Sequence, residues 1–288
     1  MNPYNPETCH HSLIHKAARS LRFDPQKDFG QWKQAAAEKF RDLIGDLPEK
    51  VDPDVRIEYE RQTGLFLEKR FVFTSEENCE VPCHLLIPRA GRKPYPVVIC
   101  IQGHSSGMHI SLGRPKYEGD EELISGGRDF AIQAVNNGYA ALVLEQRCFG
   151  ERKDSSEPPA HTCHQGTVGA LLLGRTMVGE RTWDVSRAID VLGGFDELDT
   201  SRICCVGNSG GGTTTYYASC LDERIGLSIP SCCVCTYADS IGTIYHCMDQ
   251  YIPGIMKYFE MADLACMIAP RPLIVVAGRQ DTIFPIRG

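Results

Sequence analysis

The sequence predicts a doubly wound, mostly parallel α/β sheet with an antiparallel N-terminal edge. Three observations predict it. After Pro96 the chain holds five short, continuously apolar runs, "VVICI", "ALVLE", "RICCV", "IGLSI" and "LIVVA", as a parallel sheet buried on both faces requires. Between them lie stripes at helical spacing: Phe130, Ala134 and Val135, stopped by Asn137-Gly138, then Val185, Ala188, Ile189 and Leu192, stopped by Gly193-Gly194. Before Pro88, "RIEYE" and "LFLEKRFVF" alternate, with "QTG" and "SEEN" as turns, which reads as antiparallel strands.

The elements follow in order. Residues 1–50 read as a helical appendage, because Trp32, Ala36, Phe40 and Leu43 recur at helical spacing before Gly45 and Pro48 break the pattern. Residues 51–288 form the α/β domain. Segments 145–180 and 231–269 are too long for plain connections, so they are expected to shape a site at the C-terminal ends of the strands.

Of the 288 residues, 42% are hydrophobic and 23% charged, and the net charge is −7, a soluble globular composition without a basic footprint for nucleic acid. The N-terminal "MNPYNPETCHHSLIHKAARS" has no apolar h-region, and no later run reaches the length of a membrane helix, so the predicted address is cytoplasmic. In that compartment the fourteen cysteines are expected to be reduced and mostly buried, as at Cys100, Cys204 and Cys205. Cys232 and Cys235 form a C-x-x-C, and His161, Cys163 and His164 lie close together in "HTCH", but no second pair stands at zinc-like spacing. The reading therefore assigns no metal and no cofactor, and leaves the oligomeric state open.

Chemistry concentrates in "ICCVGNSGGGTTTYYASC", where Ser209 centres a G-x-S-x-G between a strand and a helix. Gly207 and Gly211 lack side chains where strand and helix crowd together, and the N–H of Gly210 is placed to stabilise an oxyanion. A phosphate loop is not supported, since no G-K-[ST] follows. The loop "ICIQGHSSGMH" after an earlier strand offers a second oxyanion donor, the backbone N–H of His104.

These motifs resemble an α/β-hydrolase group that includes acetyl xylan esterases, cephalosporin-C deacetylases and dienelactone-hydrolase-like proteins. "EQRCFGE" is similar to the group's D-x-R-G-x-G, "LDTSRICCVGNSGGG" to its V-D-x-x-R-I-x-x-x-G-x-S-x-G-G, and "APRPLIVVAGRQDTIFP" to its A-P-R-P-x-L-x-x-x-G-x-x-D. Glu145 stands where Asp is usual, Cys148 where Gly is usual, and Asn208 where many esterases carry Gln or His. The resemblance implies that Asp281 is the acid of a Ser-acid-His triad and that Arg147 and Arg181 are structural ion-pair partners.

In such proteins the histidine follows the acid, whereas all nine histidines here precede Asp281. The expectation is that this chain stops short of a final helix, a final strand and its catalytic base. His104, His109 and His246 are the internal alternatives. The function expected is a serine carboxylic-ester hydrolase acting on a small-molecule or sugar (acetyl-type) ester through an acyl-enzyme, impaired by the absent base. An acyl-peptide hydrolase and a catalytically silent binding protein remain as alternatives.

Overall fold

The computed structural model describes residues 4–153 and 163–288. In chain order the regular elements are α1 (Pro6–Lys16), α2 (Phe29–Ile44), β1 (Arg56–Gln62), β2 (Phe66–Glu76), β3 (Cys79–Pro88), β4 (Tyr95–Ile101), α3 (Asp120–Leu123), α4 (Phe130–Asn136), β5 (Ala140–Leu144), α5 (His164–Leu172), α6 (Met177–Leu192), β6 (Leu198–Asn208), α7 (Gly210–Leu221), β7 (Ile225–Ser231) and α8 (Met261–Ile268). The seven strands form one sheet in the order β1-β2-β3-β5-β4-β6-β7. Strands β1, β2 and β3 pair antiparallel, β3 meets β5 antiparallel, and the β5-β4-β6-β7 half is parallel throughout. The alternating strands thus form one edge, and the continuously apolar runs form the parallel half, with β5, β4 and β6 inside and β7 last in the order.

Helices cover both faces. On one, Val185, Ala188, Ile189 and Leu192 of α6 pack on Phe73, Leu85, Ile99 and Ile203 of the sheet. On the other, Ala131, Ala134 and Val135 of α4 pack on Leu86, Cys100, Ala141 and Val143. Leu85 and Ile99 are fully buried; truncating such a side chain to alanine costs about 2–5 kcal/mol. Helix α2 is started by the Asp28 carboxylate, which accepts from the Gln31 N–H, and it packs on α7 and α8. It buries Trp32, Ala36, Phe40 and Ile44, an unbroken four-residue step, so Ile44 takes the core position expected of Leu43.

The run "LIVVA" departs further from expectation. It lies parallel beside β7 but bridges it only at Ser228–Leu273 and Ser231–Val276. Ile274, Val275 and Val276 are each about half exposed, at 50%, 44% and 45%. An apolar run reports a buried strand only where a second neighbour covers it, and among the described residues β7 is its one partner strand. The outer face of β6 and β7 past α4 is likewise an open apolar groove of about 700 Å³, lined by Val98, Ala134, Cys204, Val206, Leu227 and Ile229. No helix among the described residues is long and apolar enough to cross a membrane.

Candidate active site

Strand β6 ends at Asn208 and α7 begins at Gly210, leaving Ser209 as the single residue of the turn. Its backbone is at φ 53°, ψ −122°, a conformation that costs a non-glycine residue about 1–3 kcal/mol. The turn is held from both sides: the Ser209 N–H donates to Ser231 O at 2.8 Å, and the Thr213 N–H donates to Ser209 O at 2.8 Å. Glycine is obligatory around it. A Cβ on Gly211 would lie 2.6 Å from Gln102 O, and one on Gly207 would meet the Gly211 carbonyl. The Ser209 side chain caps nothing.

The loop after β4 crosses the same turn. A Cβ on Gly103 would sit 2.9 Å from Ser209 Cβ and 3.2 Å from Gly210 N, while one on Gly210 would sit 3.0 Å from Nδ1 of His104. The Gly210 N–H belongs to the first turn of α7 and has no intrahelical acceptor, and neither it nor the His104 N–H finds an acceptor among the described residues. Of these two uncommitted donors one follows the serine at the start of α7, and the other lies on the crossing loop, whose later residues are held by Glu145. The Glu145 carboxylate accepts from the N–H groups of Met108 at 3.0 Å and Glu151 at 3.2 Å. Burial pushes its pKa up to about 7 despite those bonds.

Asp281 lies on the same rim as Ser209. Val276 bridges Ser231 at the end of β7, and the turn that follows carries Asp281, whose Oδ1 accepts from the Ile283 N–H at 2.8 Å and the Phe284 N–H at 2.9 Å. The three candidate histidines are engaged elsewhere. His109 Nε2 stands 2.8 Å from Asp120 and 3.0 Å from Ser106 Oγ. His246 Nε2 stands 3.0 Å from Ser240 Oγ with its ring against Phe284. Burial holds the His246 pKa below its ordinary value, against the opposing pull of the Ile283 carbonyl, Asp249 and Asp281. His104 turns its imidazole over Gly210, with Nε2 3.1 Å from Asp249 Oδ2. Among the described residues, no imidazole hydrogen bonds to the Ser209 hydroxyl; His161 lies outside them.

Sequence reasoning missed the surroundings of His104. Asp249 is buried, its Oδ2 also receives Arg181 Nη1 at 2.6 Å, and its Oδ1 accepts from Gln250 at 3.0 Å. Burial alone would raise its pKa, but the charge of Arg181 and the bond to His104 outweigh that and hold it well below the carboxylate range. Cys163 and Cys247 are joined in a disulfide beside this pair, and Cys232 and Cys235 of the C-x-x-C are free thiols. Arg147 does bind Asp184, Glu76 and Glu180, at 2.9, 2.6 and 3.0 Å, tying the segment after β5 to α6.

Comparison with known proteins agrees with this architecture. The profile of the family described as "Abhydrolase family" matches residues 9–211. A Bacillus subtilis (strain 168) protein named "Putative hydrolase YtaP" is 26% identical over 257 residues, covering 85% of this chain and 80% of its own. A crystal structure from Bacteroides fragilis NCTC 9343, described as "a putative acetyl xylan esterase", superposes with a TM-score of 0.80 at 18% identity, covering 94% of this chain and 74% of that one. A glucuronoyl esterase from Solibacter usitatus superposes with a TM-score of 0.62 at 15% identity, covering 90% and 79%. At these identities the two structures share the fold.

Proposed function

The chain belongs to the Abhydrolase family and is a hydrolase, and from that premise we propose that it is a serine carboxylic-ester hydrolase acting on a small-molecule or sugar ester of the acetyl type. One observation carries the reading: the strained backbone of Ser209, at φ 53°, held between β6 and α7 with two free N–H groups beside it. Strain at a polar residue persists where the surrounding structure over-determines it, and such residues cluster at active sites.

In this reading Ser209 Oγ attacks the acyl carbonyl, and the N–H groups of Gly210 and His104 receive the negative charge that develops on the carbonyl oxygen. Such donors act where charge appears in the transition state, and one is typically worth 10²–10³ in rate. The alcohol leaves, the acyl group stays on Ser209, and water releases it. Asp281 is the acid that would hold and orient an imidazolium. The candidate bases His109, His246 and His104 are paired with Asp120, Ser240 and Asp249, so proton removal from Ser209 is poorly assisted and turnover is slow. The acetyl-type substrate is supported by the name of the Bacteroides fragilis relative, "a putative acetyl xylan esterase", and the broader sugar-ester class by the glucuronoyl esterase.

The test is hydrolysis of p-nitrophenyl acetate with Ser209→Ala as the blank. The expected result is a weak rate that depends on Ser209, roughly 10³–10⁴ above water, as oxyanion stabilisation and binding retain when a triad is incomplete. A rate unchanged by Ser209→Ala would remove the nucleophile assignment, and no Ser209-dependent turnover on any ester would favour a silent binding protein. In a panel of acetylated sugars, lactones and acyl-peptides, preference for the last would replace the sugar-ester reading with an acyl-peptide hydrolase.

A further inference from the structure

Four metal-binding side chains from three separate segments converge beside the oxyanion loop: His104, Cys163, Cys247 and Asp249, with their donor atoms all within 4.8 Å of one another. No short-range pattern announces them, because His104 precedes Cys163 by 59 residues and Cys163 precedes Cys247 by 84. We infer that, with the two cysteines reduced, His104 Nε2, Cys163 Sγ, Cys247 Sγ and Asp249 Oδ2 bind a structural zinc ion that fixes the oxyanion loop to the 247–250 turn and to the start of α5.

Two of the donor distances fit a tetrahedron as they stand, and opening the disulfide frees the sulfurs to meet the third. With zinc bonds of about 2.0–2.1 Å to N and O and about 2.3 Å to S, neighbouring donors stand about 3.3 Å apart for N and O, about 3.5 Å for S and N, and about 3.8 Å for two sulfurs. His104 Nε2 and Asp249 Oδ2 are 3.1 Å apart, and Cys163 Sγ and His104 Nε2 are 3.8 Å apart. The backbone spacing of the two cysteines points the same way. Their Cα atoms are 7.5 Å apart, beyond the range of about 4.4–6.8 Å usual for a disulfide. Sulfurs opened to face a shared ion relieve that requirement.

Charge and second partners also suit a cation. Two thiolates and a carboxylate leave one negative charge on the zinc complex, which the Arg181 guanidinium on Asp249 offsets. Gln250 holds the other carboxylate oxygen and itself accepts from Thr213 Oγ1 at 2.7 Å, anchoring the turn to α7. Outer partners of this kind orient metal ligands. The ion takes the place of the proton between His104 Nε2 and Asp249 Oδ2, and the neutral imidazole then carries its proton on Nδ1. Cys148 and Met177 close the site on its inner side, and the partly exposed His104 ring leaves an entry path. Four protein ligands leave no open position, so the role is structural. Reaching this state from the disulfide takes a dithiol, which breaks the S–S bond, becomes a disulfide itself and leaves two thiols; zinc then displaces their two protons to solvent.

The experiment is metal analysis of the 288-residue protein, made without a polyhistidine tag and purified under a phosphine reductant without chelator. About one zinc per chain is expected, and cobalt substitution should give thiolate-to-cobalt charge transfer with the strong visible bands of a tetrahedral site. Cys247→Ser and Asp249→Asn should each weaken zinc binding by about 100-fold or more, since even outer-partner losses cost about 10–100-fold; Cys266→Ser should change nothing. If a variant misfolds, alkylation of the wild type decides: Cys163 and Cys247 should be protected until a chelator is added. Substoichiometric metal with both thiols freely alkylated, or full metal content in the Cys163→Ser/Cys247→Ser double variant, would overturn the site. None of these readouts depends on esterase activity, so they stand apart from the Ser209 reading.

Discussion

Replacing Ser209 by glycine should make the protein more stable and abolish its chemistry at once. At φ 53°, ψ −122° the serine occupies backbone space that glycine enters freely, and the strain relieved is about 1–3 kcal/mol. Against this, glycine widens the conformational freedom of the unfolded chain by about 0.4–1 kcal/mol. The net gain is about 1 kcal/mol, or about 2 °C in Tm for a chain of this size. Ser209→Ala is the control: it loses the hydroxyl but keeps the strain, and the side chain makes no capping bond to forfeit. Thermal unfolding of the three proteins should rank Ser209→Gly above wild type, with Ser209→Ala level with wild type. Ester hydrolysis should be at blank in both variants. If Ser209→Gly melts with or below Ser209→Ala, the turn stores no strain and the reasoning from backbone to nucleophile fails.

Gly103→Ala places a methyl 2.9 Å from Ser209 Cβ. It should cost about 1–3 kcal/mol of overpacking and lower Ser209-dependent hydrolysis; an unchanged Tm and rate would show that the loop does not abut the turn. Asp281→Ala strands the N–H groups of Ile283 and Phe284 and should cost about 1 kcal/mol, whereas Asp281→Asn keeps the acceptor and should unfold within about 0.5 kcal/mol of wild type, so equal losses in denaturant titration would contradict the turn described. Glu145 has its folded pKa raised to about 7 from an ordinary 4.5, so its ionisation opposes folding. The penalty is absent below about pH 4.5, grows as pH rises to 7, and totals about 3 kcal/mol. Glu145→Gln should abolish that fall, and wild-type and variant stabilities that run parallel from pH 4.5 to 7 would refute it.

The parallel half of the sheet was legible because β4 and β5 are covered on both faces, and such burial writes itself as an uninterrupted apolar run, while β6 and β7 carry the same runs with their outer face open at the groove. "LIVVA" carries the same pattern without the same burial, since composition records what a segment can cover and not whether its neighbours are in place. Ser209 was legible because a turn that tight admits glycine alone at Gly207 and Gly211, a backbone demand that fixes residue type locally. The partners of the histidines were not. His109 finds Asp120 eleven residues on within one connection, and His104 finds Asp249 on a distant turn, and no periodicity encodes either meeting. Cys163 and Cys247 are the extreme case, donors that look unremarkable singly and acquire chemistry only when three segments converge.

The account's central claim is that Ser209 is acylated, and mass spectrometry of the protein quenched during reaction with p-nitrophenyl acetate tests it most directly. With its base poorly provided, deacylation should lag, so the account predicts a p-nitrophenolate burst approaching one equivalent per chain and an acetyl group on the peptide carrying Ser209. Acetylation confined to lysines or cysteines, or a burst undiminished by Ser209→Ala, would contradict it.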